Sequence, residues 1–326
     1  LALRGRTDEA LKIMEKAAGP VEAHRQIEEV RSSIATETTR QRIPISSLFV
    51  PAMRRVLVIG IVIAVIQQIT GINAVFFYAP MIFEQSGIGT DAAFSQAVLV
   101  GLTNLVFTLV AMALVDKVGR KPLLAVGLSG ITISMLTLGG GFRSATYTLP
   151  ADALETLPET VDASALSPLV GKTFNSDVAF KRALTEAIGK ERAAPVETGL
   201  IKQSIEVNPR LILFGILGFV ASFACSLGPV MWILFSELFP NRVRALAISF
   251  VGFINSGVSF LVQLVFPWEL ANLGSATTFL IYAGFAAAGL IFVLAVIPET
   301  KGRSLEHLAE QLVGSQSDRN EKSPAS

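Results

Sequence analysis

The chain has 326 residues, of which 51% are hydrophobic and only 16% are charged, and its net charge is +1. A soluble domain carries roughly a quarter charged residues, so an ordinary water-soluble fold is excluded, and the near-neutral balance excludes an electrostatic nucleic-acid binder. The single cysteine, Cys225, admits no intrachain disulfide, and the two histidines, His24 and His307, stand alone in polar segments, which implies no metal site and no cofactor.

The opening residues, Leu1-Ala2-Leu3-Arg4, lack the pattern of a secretory signal and read as the middle of a longer polypeptide. Residues 1–50 are polar and helix-prone. Thr7-Asp8-Glu9 starts a short helix through Leu11, Met14 and Ala17 that Gly19-Pro20 ends, and Val21 to Ile34 repeats the amphipathic pattern. Such helices suit a water–membrane boundary.

Six apolar runs follow, none containing Asp, Glu, Lys or Arg: Val56–Phe83, Phe94–Val115, Pro122–Phe142, Leu211–Ser236, Ala245–Trp268 and Leu270–Pro298. Crossing a bilayer takes about 20 apolar residues, and every run is long enough. They form two triplets, within residues 51–142 and 209–298. Short connections rich in Lys and Arg (Arg54-Arg55; Lys117, Arg120 and Lys121; Arg242 and Arg244; Lys301 and Arg303) alternate with short connections that hold only Glu84 and Asp91, or Glu269. Basic connections stay in the cytoplasm, which places both ends of this chain there.

Residues 143–208 form one connection out of proportion, on the outer side. Ser176-Asp177 is placed to cap a helix with Phe180, Leu184 and Ile188 on one face, while Pro150 to Pro168 looks irregular. The segment is either a small outer cap or a flexible spacer. Within residues 299–326, the stretch from Gly314 onward is polar enough to stay unfolded.

The first helix of each triplet is interrupted, by Gly71 in the first run and by Gly228-Pro229 in the fourth. Beside these breaks stand Gln67, Gln68 and Asn73, three amides inside a membrane span, where an unpaired polar group is costly. Their partners are either neighbouring helices or the hydroxyls of a substrate, since an amide and a hydroxyl each donate and accept. Trp232 offers a face for stacking on a pyranose ring. No nucleophile–base pair, carboxylate pair or metal cluster lies in the spans, which argues against a membrane enzyme. The absence of charge there points to a neutral, hydroxyl-rich substrate.

Four motifs in order resemble the sugar porter branch of the major facilitator superfamily. Gln67-Gln-Ile-Thr-Gly-Ile-Asn-Ala-Val-Phe-Phe-Tyr78 resembles its seventh helix, and Asp116-Lys-Val-Gly-Arg-Lys121 its cytoplasmic loop signature. Gly228-Pro-Val-Met-Trp232, continuing through Glu237 to Arg242-Val-Arg244, resembles its tenth helix and following loop, and Pro298-Glu-Thr-Lys-Gly-Arg303 its C-terminal signature. The resemblance covers about residues 1–312 and implies an all-α membrane protein, a six-helix transmembrane bundle forming the C-terminal half of a twelve-helix fold. Its partners are then the bilayer, the N-terminal six-helix half and a neutral sugar or polyol, in a plasma or bacterial inner membrane.

The resemblance also implies residue roles. Gln67, Gln68, Asn73, Asn104, Trp232 and Asn255 fall at sugar-contact positions, and Phe223 at a cavity aromatic. Phe77 and Tyr78 match an outer gate, and Asp116, Arg120, Glu237 and Arg244 a cytoplasmic charge network. Glucose and xylose carriers often have Trp directly after the Asn255 position. Here it is Ser256, with Ser259 one turn on, which implies a roomier or more polar wall. The long outer connection resembles inositol porters. The function implied is transport of a hexose, pentose or inositol by alternating access, as a symporter or uniporter; the alternative is a non-transporting membrane sugar sensor.

Overall fold

The computed structural model describes residues 44–76, 79, 90–158 and 161–301, and the chain divides into two units, residues 1–50 and 51–326. In the first unit the described part is a short 3-10 turn, Ile45–Leu48. The two amphipathic helices expected before it, the aromatic pair Phe77 and Tyr78, and the tail after residue 301 lie outside the described residues.

The second unit is a helical bundle. Among the described residues six helical spans are long and apolar enough to cross a membrane, so the chain is a multi-pass membrane protein. The first span holds α1 (Pro51–Ile69). Helices α2 (Thr90–Val118) and α3 (Arg120–Arg143) follow. After the long connection come α7 (Pro209–Ala224), α8 (Leu227–Leu238), α9 (Arg244–Asn272) and α10 (Gly274–Val296). The fourth span is thus two helices end to end, α7 and α8, interrupted at Cys225-Ser226, with Pro229 in the first turn of α8 where its missing N–H costs least. Helix α3 packs centrally against α10 and α7, α9 lies along α1, and α7 against α2. Large apolar side chains face outward on α2 (Leu102, Leu105, Leu109, Met112) and α9 (Phe253, Phe260, Leu264), as hydrocarbon surroundings permit and water does not.

Residues 145–207 fold rather than trail as a spacer. A three-stranded antiparallel sheet is built from β1 (Thr146–Thr148), β2 (Thr173–Phe174) and β3 (Ile205–Glu206), with β1 in the middle. Around it lie a short α4 (Ala163–Leu166), α5 (Asp177–Ile188) and α6 (Lys190–Ser204). The expected cap of α5 is present: Ser176 Oγ accepts from Ala179 N at 3.1 Å. Phe180, Leu184 and Ile188 enter a separate apolar core with Tyr147, Leu149, Leu166 and Leu200. Burial and the nearby Asp177 carboxylate push the Tyr147 phenol up from its ordinary value. The stretch expected to be irregular carries two 3-10 turns and α4 instead. This cap is tied to the bundle by Asp177, whose Oδ2 accepts from Ser275 N at 2.9 Å and Ser275 Oγ at 3.0 Å at the start of α10.

Candidate functional site

Gln67 and Gln68 stand in the last turn of α1. The helix stops just beyond them because Gly71 takes φ +89°, a left-handed conformation that other L-residues enter only at a cost. Residues 72–76 then resume as helix, with Val75 N donating to Gly71 O at 2.8 Å. The change of direction brings Asn73 back over Gln68.

The amides close on one another across three elements. Asn255 of α9 donates from Nδ2 to Gln67 Oε1 at 2.7 Å and to Ala64 O at 3.0 Å, and its Oδ1 accepts from Gln68 Nε2 at 2.9 Å. Gln68 Nε2 also reaches Gln67 Oε1 at 3.2 Å, while Gln68 Oε1 accepts from Asn73 Nδ2 at 2.8 Å. Asn73 Nδ2 further donates to Ser259 Oγ at 2.7 Å, which also accepts from Gln263 Nε2 at 3.1 Å. Gln67 Nε2 donates to Leu227 O at 3.1 Å, the first residue of α8 beyond the break in the fourth span. Both interrupted spans therefore meet in one neutral cluster. It has no group suited to proton abstraction or nucleophilic attack. What it offers is a set of donors and acceptors that can be exchanged for those of hydroxyl groups.

A second cluster lies at the end of the bundle that carries the basic connections. Arg120, in the first turn of α3, pairs through Nη2 with Asp116 Oδ1 at 3.0 Å and Glu237 Oε1 at 2.6 Å, and donates from Nη1 to Val115 O at 3.1 Å. Glu237 Oε2 accepts from Thr300 Oγ1 at 2.7 Å. Glu299 caps α3, accepting from Arg120 N at 3.0 Å and Lys121 N at 3.1 Å, a favourable place for an anion at a helix N-terminus. The approach requires Gly119, whose φ is +102° and whose absent Cβ would stand 2.7 Å from Glu299 Oε2.

Of the residues singled out from the sequence, the structure joins Gln67, Gln68, Asn73 and Asn255 in the first cluster and Asp116, Arg120 and Glu237 in the second. Arg244 donates from Nε to Phe239 O at 3.2 Å and forms no ion pair among the described residues. Asn104 is half-buried on α2 and makes no hydrogen bond to the amides among the described residues. Trp232 is 45% exposed with its ring edge-on to Phe235, and Phe223 is buried against Phe219. The sequence reading missed the capping role of Glu299 and the bond from Thr300 to Glu237, although their motif was visible, and the place of Gln263 beside Ser259. The signal for Gln263 was its spacing: it stands one helical turn after Ser259, as Ser259 stands one after Asn255.

The chain is 31% identical over 308 residues to the arabinose-proton symporter of Bacillus subtilis, covering 94% of this chain and 53% of that protein. It is 30% identical over 310 residues to the major myo-inositol transporter IolT of the same organism, covering 95% and 54%. Among solved structures, the major facilitator superfamily proton:xylose symporter XylE bound to 6-bromo-6-deoxy-D-glucose matches with a TM-score of 0.57 at 29% identity, over 96% of this chain and 53% of that one. This chain spans about half the length of the curated relatives it matches. The family model described as sugar (and other) transporter matches residues 1–153 and 193–312, passing over most of the cap, and by that match the chain belongs to the sugar transporter family of the major facilitator superfamily.

Proposed function

We propose that this chain forms one half of a carrier that moves a neutral sugar or polyol across the cell membrane by alternating access, as a symporter or uniporter, with both ends of the chain in the cytoplasm. The observation that carries the reading is the uncharged amide cluster of Gln67, Gln68, Asn73 and Asn255, set where both interrupted spans meet. Without substrate the amides satisfy each other. A polyhydroxyl ligand replaces those bonds one for one, since each hydroxyl both donates and accepts, so binding leaves no buried polar group unpaired. The exposed ring of Trp232 supplies the apolar face for a sugar ring. Relatives named as carriers of arabinose and myo-inositol support the substrate class. A second half, of the kind the longer relatives have room for, supplies the opposite wall. The Arg120–Glu237 cluster acts as a latch at the cytoplasmic mouth.

Uptake of radiolabelled sugars by cells expressing the protein tests the reading, with competition by neutral sugars, inositols, sugar phosphates and amino acids. Neutral polyhydroxyl compounds compete and charged solutes do not. Gln68→Ala weakens binding by about three- to tenfold, the typical effect of one neutral hydrogen bond. Strong competition by a charged solute, or unchanged sugar binding in a well-folded Gln68→Ala protein, refutes it.

A further inference from the structure

Behind the break in α1 stands a pair of side chains that belongs to neither cluster. A Cβ on Gly71 would lie 2.6 Å from Tyr282 Cδ2, so the Tyr282 ring of α10 fills the space that a side chain at the break would need. That ring is 3% exposed and stacks on Phe266 of α9 with centroids 6.0 Å apart. Its hydroxyl donates to Glu269 Oε2 at 3.0 Å, in the last turn of α9. Glu269 forms no ion pair among the described residues, and Tyr282 is the hydrogen-bond partner of its carboxylate. The same two side chains, with Ile69, Val258, Val265 and Phe285, line an apolar groove of about 260 Å³ that is open on the side where Val265 and Phe285 are exposed. Stacking on Phe266 and contact with Gly71 hold the faces of the ring, and the bond to Glu269 holds its hydroxyl end where the groove leaves room beside it.

We propose that Glu269 and Tyr282 are positioning residues for the amide cluster. Their hydrogen bond holds the ring against Gly71, and the ring holds the helical piece after the break, so that Asn73 stays within reach of Gln68 and Ser259. Freed from Glu269, the ring tilts toward the groove, and residues 72–76 gain room to swing away from the cluster. The consequence for sugar rests on the transport reading; the mechanical claim does not.

The test uses the full chain in membranes, with Cys225→Ser removing the native thiol and Val75→Cys placing a single thiol at a position that is 0% exposed. Reaction with a water-soluble maleimide, in the absence of sugar, reports how often the piece after the break opens. Glu269→Leu and Tyr282→Phe each raise the labelling rate by about three- to tenfold, the scale of one hydrogen bond. The double substitution goes no further than either alone, because both remove the same bond. Glu269→Gln keeps an acceptor oxygen of the same reach and labels like the parent. Tyr282→Phe retains the ring and its stacking, so it folds even where the leucine substitution does not. Unchanged labelling in Tyr282→Phe, or Glu269→Gln labelling as fast as Glu269→Leu, overturns the proposal. Sugar affinity measured alongside weakens in the fast-labelling variants. A parent that binds no sugar yet shows the labelling pattern defeats the transport reading and leaves the brace standing. A parent that binds sugar with flat labelling defeats the brace alone.

Discussion

The amide cluster and the charged cluster both fasten the bundle across its helices, and they do so with different chemistry. Inside the spans, Gln67, Gln68, Asn73 and Asn255 are neutral; Gln67, Gln68 and Asn255 each use the amide as donor and acceptor at once, and Asn73 donates twice. At the end with the basic connections, Arg120 binds two carboxylates, and Glu299 binds two backbone N–H groups of α3. The difference follows from depth. A charge in hydrocarbon is expensive even when paired, whereas an amide is tolerable once every bond is made. Near water a charge keeps part of its hydration, so an ion pair can form and release cheaply. The interior cluster is therefore the one that a neutral ligand can take apart bond by bond, while in the end cluster an ionic medium can loosen the exposed Arg120–Asp116 pair.

The largest expected effect comes from removing the hub of the interior cluster. Asn255→Leu keeps the branching and heavy-atom count of the side chain and deletes two donated bonds and one accepted bond. Gln67 Oε1 and Gln68 Nε2 then keep only the longer 3.2 Å bond between themselves, and with three neutral hydrogen bonds gone at about 0.5–1.5 kcal/mol each the folded state loses about 2–4 kcal/mol. Unfolding of the detergent-solubilised protein measures this, and the loss is the same at low and high salt because no charge is involved. A loss that shrinks with added salt would erase the distinction between the clusters. An intermediate effect is expected at the other end from Gly119→Ala. It forces a side chain into positive φ and drives its Cβ against the Glu299 carboxylate, for about 1–3 kcal/mol. Part of that loss is the uncapping of α3, so Glu299→Gln alone should reproduce a fraction of it; if Glu299→Gln changes nothing, the carboxylate is not what the glycine makes room for.

Much of this comparison was legible in the sequence. Charge-free runs announced the spans, and Gly71 and Pro229 marked the interruptions, because backbone chemistry acts locally. The Ser176 cap and the face carrying Phe180, Leu184 and Ile188 were readable for the same reason. What was not legible depends on distant pairings. Nothing near Glu299 in the chain says that its carboxylate will cap a helix beginning at Arg120, and nothing near Glu269 says that it meets a tyrosine behind Gly71. The three-stranded sheet of the cap was missed because its strands are two or three residues long, too short for an alternating pattern. Nor did the sequence decide whether the interior amides pair with helices or with substrate. In the structure they pair with each other, across α1, the helical piece after Gly71 and α9.

The smallest expected effect is also the sharpest probe of the end cluster, because Arg120 holds two carboxylates in unlike settings. The Asp116 side chain is 80% exposed and that of Glu237 is 25% exposed, while Arg120 itself is 11% exposed. Solvent screens the first pair strongly, so Asp116→Asn costs about 0–1 kcal/mol, and that little disappears as salt approaches roughly 1 M, where the Debye length falls to about 3 Å. Glu237→Gln removes the shorter pair and weakens the acceptor of Thr300, while leaving a largely buried guanidinium with one carboxylate fewer. Its cost exceeds that of Asp116→Asn and persists in salt, since the buried partner cannot recover its hydration. Unfolding of both variants at low and high salt gives the four numbers needed. If the two substitutions cost the same and respond to salt alike, exposure does not grade these pairs, and the cluster acts as one diffuse patch of charge.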